Sequence, residues 1–182
     1  MPKRSPFLIK LRIGADERGK LVGLEHTWYV DHGPYSEASQ DLTNREAQFM
    51  GAPYGIERIR GCGYTFFTNH KWCGAFRAYG APQTYLAEEV AIDMLAEKVG
   101  MDPLEFREKN LIRPGGTMPS GQKPEVYPLQ AMVTRIKPFY EEAKKRAAAL
   151  STETVKRGVG VSIGIYDCNR DGPDESYSTI EL

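Results

Sequence analysis

Gly74-Ala75-Phe76-Arg77-Ala78-Tyr79-Gly80-Ala81-Pro82-Gln83 packs an arginine, two aromatics, two glycines and a proline into one short stretch, and a helical pattern follows at once. Small residues let backbone approach a ligand closely. Pro82 has the fixed φ that suits the first turn of a helix. Amides just before and inside that turn lack intrahelical partners, so they can receive an anion or a polar ring edge. Arg77 offers a planar fork of donors and Tyr79 a flat face. On physical grounds the stretch reads as a loop that holds a flat, polar, anionic ligand.

Outward from this loop the chain alternates strands and helices. Phe7, Ile9, Leu11 and Ile13 alternate with Leu8, Lys10, Arg12 and Gly14, the period of a strand with one apolar face. Asp16-Glu17-Arg18-Gly19-Lys20 is turn chemistry, and Leu21 to Asp31 completes a hairpin. Weak helical spacing runs from Leu42 to Met50. Ile56 to Thr68 reads as a strand in which Gly61 and Gly63 mark a bulge or a close backbone approach. Cys62 in that strand reads as an inert buried thiol. His70 and Cys73 lack a second Cys/His pair, so no metal site is expected there, and His70 is assigned a polar contact.

Gln83 to Val99 is the strongest helical pattern. Leu86, Val90, Met94, Leu95 and Val99 form its apolar face, and Glu88, Glu89, Asp93 and Glu97 are expected in solvent. Asp102-Pro103-Leu104-Glu105 opens another helix with an N-cap, a proline at N1 and a glutamate at N3. The Pro- and Gly-rich run from Pro114 to Pro128 is a linker. A helix from Leu129 to about Leu150, kinked at Pro138, a strand from Gly158 to Tyr166 and a last strand from Tyr177 to Leu182 follow. The expected fold is α+β, with hairpins and mixed sheets packed on helices. A first subdomain covers 1–114, a linker 115–127, and the start of a second subdomain 128–182.

Phe76-Arg77-Ala78-Tyr79-Gly80-Ala81-Pro82-Gln83 resembles the Phe-Arg-Gly-Phe/Tyr-Gly-x-Pro-Gln signature of the xanthine oxidase family of molybdenum hydroxylases. Asp31-His32-Gly33-Pro34-Tyr35-Ser36-Glu37 and Lys109-Asn110-Leu111-Ile112-Arg113-Pro114-Gly115 resemble the bacterial aldehyde oxidoreductases of that family. The departure is Ala78, where the family usually has Gly. Alanine is costly there if the position needs positive φ, and otherwise only narrows the cavity.

The resemblance implies a molybdopterin cofactor carrying molybdenum, in the cytosine dinucleotide form typical of the bacterial enzymes. It implies 2Fe–2S domains elsewhere on a longer polypeptide, of which this chain is an excised internal stretch. It implies that Phe76, Arg77, Ala78 and Gly80 hold the cofactor and that Tyr79 lines the substrate pocket. In the xanthine-oxidising branch an arginine upstream of the motif grips the purine. Counting back from Arg77, Arg45 falls near that place, with a solvated helix-face arginine as the other reading. The family's catalytic glutamate lies outside this stretch, as do the remaining cofactor-binding segments.

The implied activity is oxidation of small-molecule aldehydes to carboxylic acids, with xanthine or another N-heterocycle as the alternative substrate. A non-catalytic interaction module on the same fold is the other class. Composition bounds the partners. The chain has 24 basic and 24 acidic residues among 182, without the basic excess that nucleic acid or an anionic membrane surface would call for. No apolar run is long enough to span a bilayer. Three cysteines far apart form no disulfide framework, which fits a cytoplasmic setting. No bound metal is expected on the stretch itself, and strands cut at both ends imply self-association.

Overall fold

A computed structural model describes residues 3–35 and 39–166. The hairpin forms as its alternation dictates. Strand β1 (Phe7–Ala15) pairs antiparallel with β2 (Leu21–Asp31) from Phe7 opposite Val30 to Gly14 opposite Gly23. The turn between them is closed by Asp16, whose carboxylate accepts from the amides of Arg18 (3.0 Å) and Lys20 (2.8 Å). Gly19 supplies the positive φ of 74°.

From β2 the chain crosses through helix α1 (Ser39–Phe49) and returns as β3 (Ile59–Phe66), parallel to β2 on its other side. The two glycines of β3 are explained by this pairing. Gly61 lies opposite His26 and Gly63 opposite Trp28, and those two rings stack with centroids 4.6 Å apart. A Cβ on Gly61 would sit 2.3 Å from the His26 ring, and one on Gly63 2.3 Å from Trp28. The close-approach reading of the glycines is the right one. Cys62 between them is exposed, not buried, because it points to the open face of the sheet.

Helices α2 (Ala81–Lys98) and α3 (Pro103–Asn110) follow. Asp102 caps α3 by accepting from the amides of Leu104 (2.8 Å) and Glu105 (3.3 Å), with Pro103 in the first turn. Residues 115–127 contain no helix or strand. Helix α4 (Leu129–Leu150) then runs on through Pro138, which has no N–H to give the Thr134 carbonyl. Leu129, Val133 and Tyr140 of α4 join the core of Leu21, Ile92, Ala96, Leu104 and Phe106.

Two expectations are corrected. Of the apolar face expected for α2, Leu95 and Val99 pack on the core but the other three residues do not. Leu86, Val90 and Met94 are 70%, 51% and 66% exposed, while Glu88 and Glu89 are inside. The cause is a buried cation from α3. Arg107, fully buried, donates from Nε to Glu89 at 2.9 Å and from Nη1 to Asp93 at 2.6 Å, and the Tyr54 hydroxyl donates to Glu89 at 2.5 Å. Pairing repays part of the cost of taking these charges out of water.

The segment 158–166, expected as a strand, has no strand partner among the described residues. It lies alongside α2, where the Ile163 amide donates to Glu89 at 2.8 Å and the Ile165 amide to the Tyr85 hydroxyl at 3.0 Å. Side chains of a helix take the place of a neighbouring strand. The expected polar loop from Asp167 and the strand Tyr177 to Leu182 lie outside the described residues.

Candidate functional site

The loop from Phe76 to Gly80 is built from two successive turns. The Tyr79 amide donates to the Phe76 carbonyl (2.8 Å), and the Ala81 amide to the Ala78 carbonyl (2.9 Å). This geometry requires left-handed backbone at two positions: Ala78 has φ 62° and Gly80 φ 88°. Ala78 is the only non-glycine residue with positive φ among the described residues. Alanine therefore sits where glycine would be unstrained. At Gly80 a side chain would also be crowded, since its Cβ would lie 3.3 Å from the Arg45 Cβ and 3.6 Å from Leu42 Cδ1.

The amides expected to be open for an anion are not all open. The Tyr79 and Ala81 amides are used inside the loop, and Pro82 has none, so those positions have no free N–H to offer a ligand. Phe76 and Arg77 are exposed, and the Arg77 guanidinium has no hydrogen bond or ion pair among the described residues. Tyr79 is half-buried against Trp28, Val30 and Leu42, so it is a packing residue as well as a candidate pocket wall. Arg45, on α1, donates to Gln48 at 2.9 Å and lies over the Phe49 ring, with its stem beside Gly80. The structure places the Arg45 stem at the back of the loop, with its guanidinium turned to Gln48 and Phe49.

Beneath the loop, α1 is tied to β2. The Trp28 indole donates to the Thr43 carbonyl at 3.0 Å, and His26 contacts Glu46 at 3.3 Å. Burial raises the Glu46 carboxyl above the usual range, and His26 offsets this only in part. Behind it, burial pushes Glu88 up to about 8; the Gly51 amide opposes this in part, and the charges of Glu89 and Glu46 add to it. Neither Glu88 oxygen has a partner at full hydrogen-bond geometry among the described residues. At neutral pH this carboxyl is mostly protonated.

His70 makes the polar contact expected of it, with Asp31. Asp31 also accepts from Thr68 at 2.6 Å and from the Gly33 amide at 3.1 Å. Burial alone would raise its carboxyl, but these hydrogen bonds outweigh it and hold the group below the ordinary value. A groove of about 900 Å³ lined by residues such as Ile112, Met118, Tyr127 and Met132 contains no residue of the loop.

Residues 1–111 match the family model of the molybdopterin cofactor-binding domain. This chain belongs to that family. It is 53% identical over 180 residues to the aldehyde oxidoreductase of Megalodesulfovibrio gigas, covering 99% of this chain and 20% of that protein. A probable xanthine dehydrogenase component of Bacillus subtilis is 35% identical over 112 residues, covering 62% of this chain and 15% of the relative. The crystal structure of aldehyde oxidoreductase from Desulfovibrio gigas superposes with a TM-score of 0.82 at 52% identity, over 84% of this chain and 17% of that one. Quinoline 2-oxidoreductase from Pseudomonas putida 86 shares the fold, with a TM-score of 0.69 at 20% identity. The chain spans about a fifth of the length of the first of these relatives.

Within this molybdopterin-binding family the loop has further contacts that the motif did not reveal. Arg4 donates from Nη2 to the Arg77 carbonyl at 2.7 Å and lies 4.9 Å from the Phe76 ring centre. Gln83 donates to the Ser5 carbonyl at 3.1 Å. No local pattern marks Arg4. Only the return of the chain's first residues beside Trp72–Gly74 puts it there.

Proposed function

We propose that this chain forms one wall of the cofactor and substrate site of a molybdenum-dependent aldehyde oxidoreductase, which oxidises aldehydes to carboxylic acids with a water-derived oxygen. The supporting observation is identity of 53% to an aldehyde oxidoreductase along nearly the whole chain, together with a signature loop held in left-handed backbone. Polar atoms at the loop fit a polar group arriving from outside. Arg77 is unpaired, while Arg4 Nη1 and Gln83 Oε1 are buried without partners among the described residues. Phe76, Arg77, Ala78 and Gly80 would hold the molybdopterin, in its cytosine dinucleotide form. When bound, that group supplies the redox centre and the transferred oxygen.

The roles of the side chains follow from their chemistry. Arg77 places a fixed cation where negative charge gathers. Tyr79 offers a flat face that aligns a small aldehyde. The 2Fe–2S clusters and the general base belong to the rest of the same polypeptide, which is the principal partner. The second reading, oxidation of xanthine or another N-heterocycle, draws support from Arg45 standing beside Gly80. A cytoplasmic setting is supported by the unpaired thiols of Cys62 and Cys73. Residues 128–182 begin a second subdomain beyond the linker 115–127, whose lack of regular structure supports the division.

The test uses the full-length protein that carries this stretch. Arg77→Ala is expected to lose molybdenum. Tyr79→Leu, which keeps the packing on Trp28 and Leu42, is expected to keep molybdenum and lower aldehyde turnover by about tenfold to a hundredfold through poorer alignment. Full metal and normal rates in Arg77→Ala would remove that residue from the site.

A further inference from the structure

Arg4 is held from two sides. Its neighbours pair with the segment before the signature loop: the Lys3 amide donates to the Trp72 carbonyl at 3.3 Å, and the Gly74 amide to the Lys3 carbonyl at 3.2 Å. Its side chain then reaches the loop itself, donating from Nη2 to Arg77 and covering Phe76. A planar guanidinium can stack and donate sideways at once, which an ammonium cannot.

That leaves Nη1. It is sealed from solvent and has no acceptor among the described residues. Next to it in the fold, Gln83 grips the Ser5 carbonyl through Nε2, while its Oε1 is equally buried and has no donor. A charged donor and an amide acceptor therefore flank the segment Lys3 to Ser5, each lacking what the other kind of group supplies. Buried polar atoms without partners are costly, and cationic ones most of all. With Arg77 also unpaired, two guanidinium groups stand at one loop without a carboxylate between them.

We infer that Arg4 is a cofactor-binding residue. Its Nη1 donates to an oxygen or ring-nitrogen acceptor of the bound molybdopterin, while Nη2 and the contact with Phe76 hold the loop in shape. This rests on the molybdopterin reading of the loop given under Proposed function. The acceptor comes from the cofactor, not from another part of the polypeptide, and the two sources differ in what they do to the cofactor-free protein.

The experiment compares Arg4→Met, Arg4→Lys and Arg77→Ala in the full-length enzyme. Molybdenum is measured by elemental analysis, pterin by fluorescence after oxidative release, and melting temperature with and without cofactor. A charge-assisted hydrogen bond lost from the bound state should speed cofactor release about tenfold in Arg4→Met. Arg4→Lys keeps the charge without the fork and should fall between that and the parent. A fall in the cofactor-free melting temperature reports the lost Nη2 and Phe76 contacts, and the gain on loading should shrink in addition to it.

Parental retention in both Arg4 variants, with loss in Arg77→Ala, would overturn the inference and leave the site reading standing. Parental retention in all three would overturn the site reading as well. A drop in melting temperature that is equal with and without cofactor leaves the gain on loading at its parental value, and would overturn the inference too. If Arg4→Met does not fold, release at the parental rate from Arg4→Lys decides against it.

Discussion

Replacing Glu88 with glutamine should change how stability depends on pH. Glu88 is fully buried on α2, and burial raises its carboxyl from 4.5 to about 8. In the unfolded chain the group loses its proton near 4.5, whereas the native state keeps it to about 8. Between those values the native state binds one more proton than the unfolded state, so stability falls as pH rises. Each pH unit in that window removes about 1.4 kcal/mol, so the loss reaches about 3 kcal/mol by pH 7 and about 5 kcal/mol above the native value. Glutamine has the same shape as the protonated acid and does not titrate. Glu88→Gln and the parent should therefore be similarly stable at pH 5, and the variant should be the more stable by several kcal/mol at pH 8. Glu46, which burial also raises and whose charge adds to the rise at Glu88, is coupled to it, so the difference between the two profiles reports the pair together. Urea unfolding of the chain at intervals from pH 5 to 9 measures this directly, with midpoints converted through the slope of about 1–3 kcal/mol per molar. Parallel pH profiles for the two proteins would refute the reasoning, since they would mean that Glu88 is ionised in the native state.

Other perturbations have defined outcomes. Ala78→Gly relieves a left-handed alanine worth about 1–2 kcal/mol and adds unfolded-state freedom worth about 0.4–1 kcal/mol, so a net gain of up to about 1 kcal/mol is expected in the urea midpoint. Gly63→Ala places a methyl group 2.3 Å from the Trp28 ring and should cost about 1–3 kcal/mol, seen as a fall of several degrees in melting temperature. The double variant Leu86→Lys, Met94→Lys removes the exposed apolar face of α2; light scattering should find the parent chain self-associating at high concentration and the variant monomeric.

Local rules were enough for the hairpin, the cap of α3 and the loop. Each depends on residues close in sequence: Asp16 with Gly19, Asp102 with Pro103, Gly80 with Pro82. The strand pattern of β3 was legible too, and even the reason for Gly61 and Gly63, though not the rings that fill the space. What could not be read was α2. Leu86, Val90 and Met94 point outward, while Glu88 is buried and Glu89 points inward to a cation on α3. A hydrophobic stripe shows which face is buried in the whole protein, and this chain spans a fifth of its relative. Residues 158–166 failed as a strand for a related reason: their alternation is that of a strand, but the described neighbour is a helix.

The signature loop owes its shape to contacts that begin far from it. Glycines in β3 leave room for the His26 and Trp28 rings. Those rings reach α1 through Thr43 and Glu46, and so fix the helix that carries Leu42 and Arg45. Those two side chains lie against Gly80, where positive φ and a contact of 3.3 Å to the Arg45 Cβ both disfavour a Cβ. Gly80 in turn sets where α2 begins and how the turn before it presents Phe76 and Arg77. From the other side Arg4 grips the same two residues. The motif's glycines and proline therefore give the loop its permitted conformations, and the sheet, α1 and Arg4 select one of them. A substitution at Gly63 should reach the loop through Trp28 and α1, although no atom of β3 belongs to the motif.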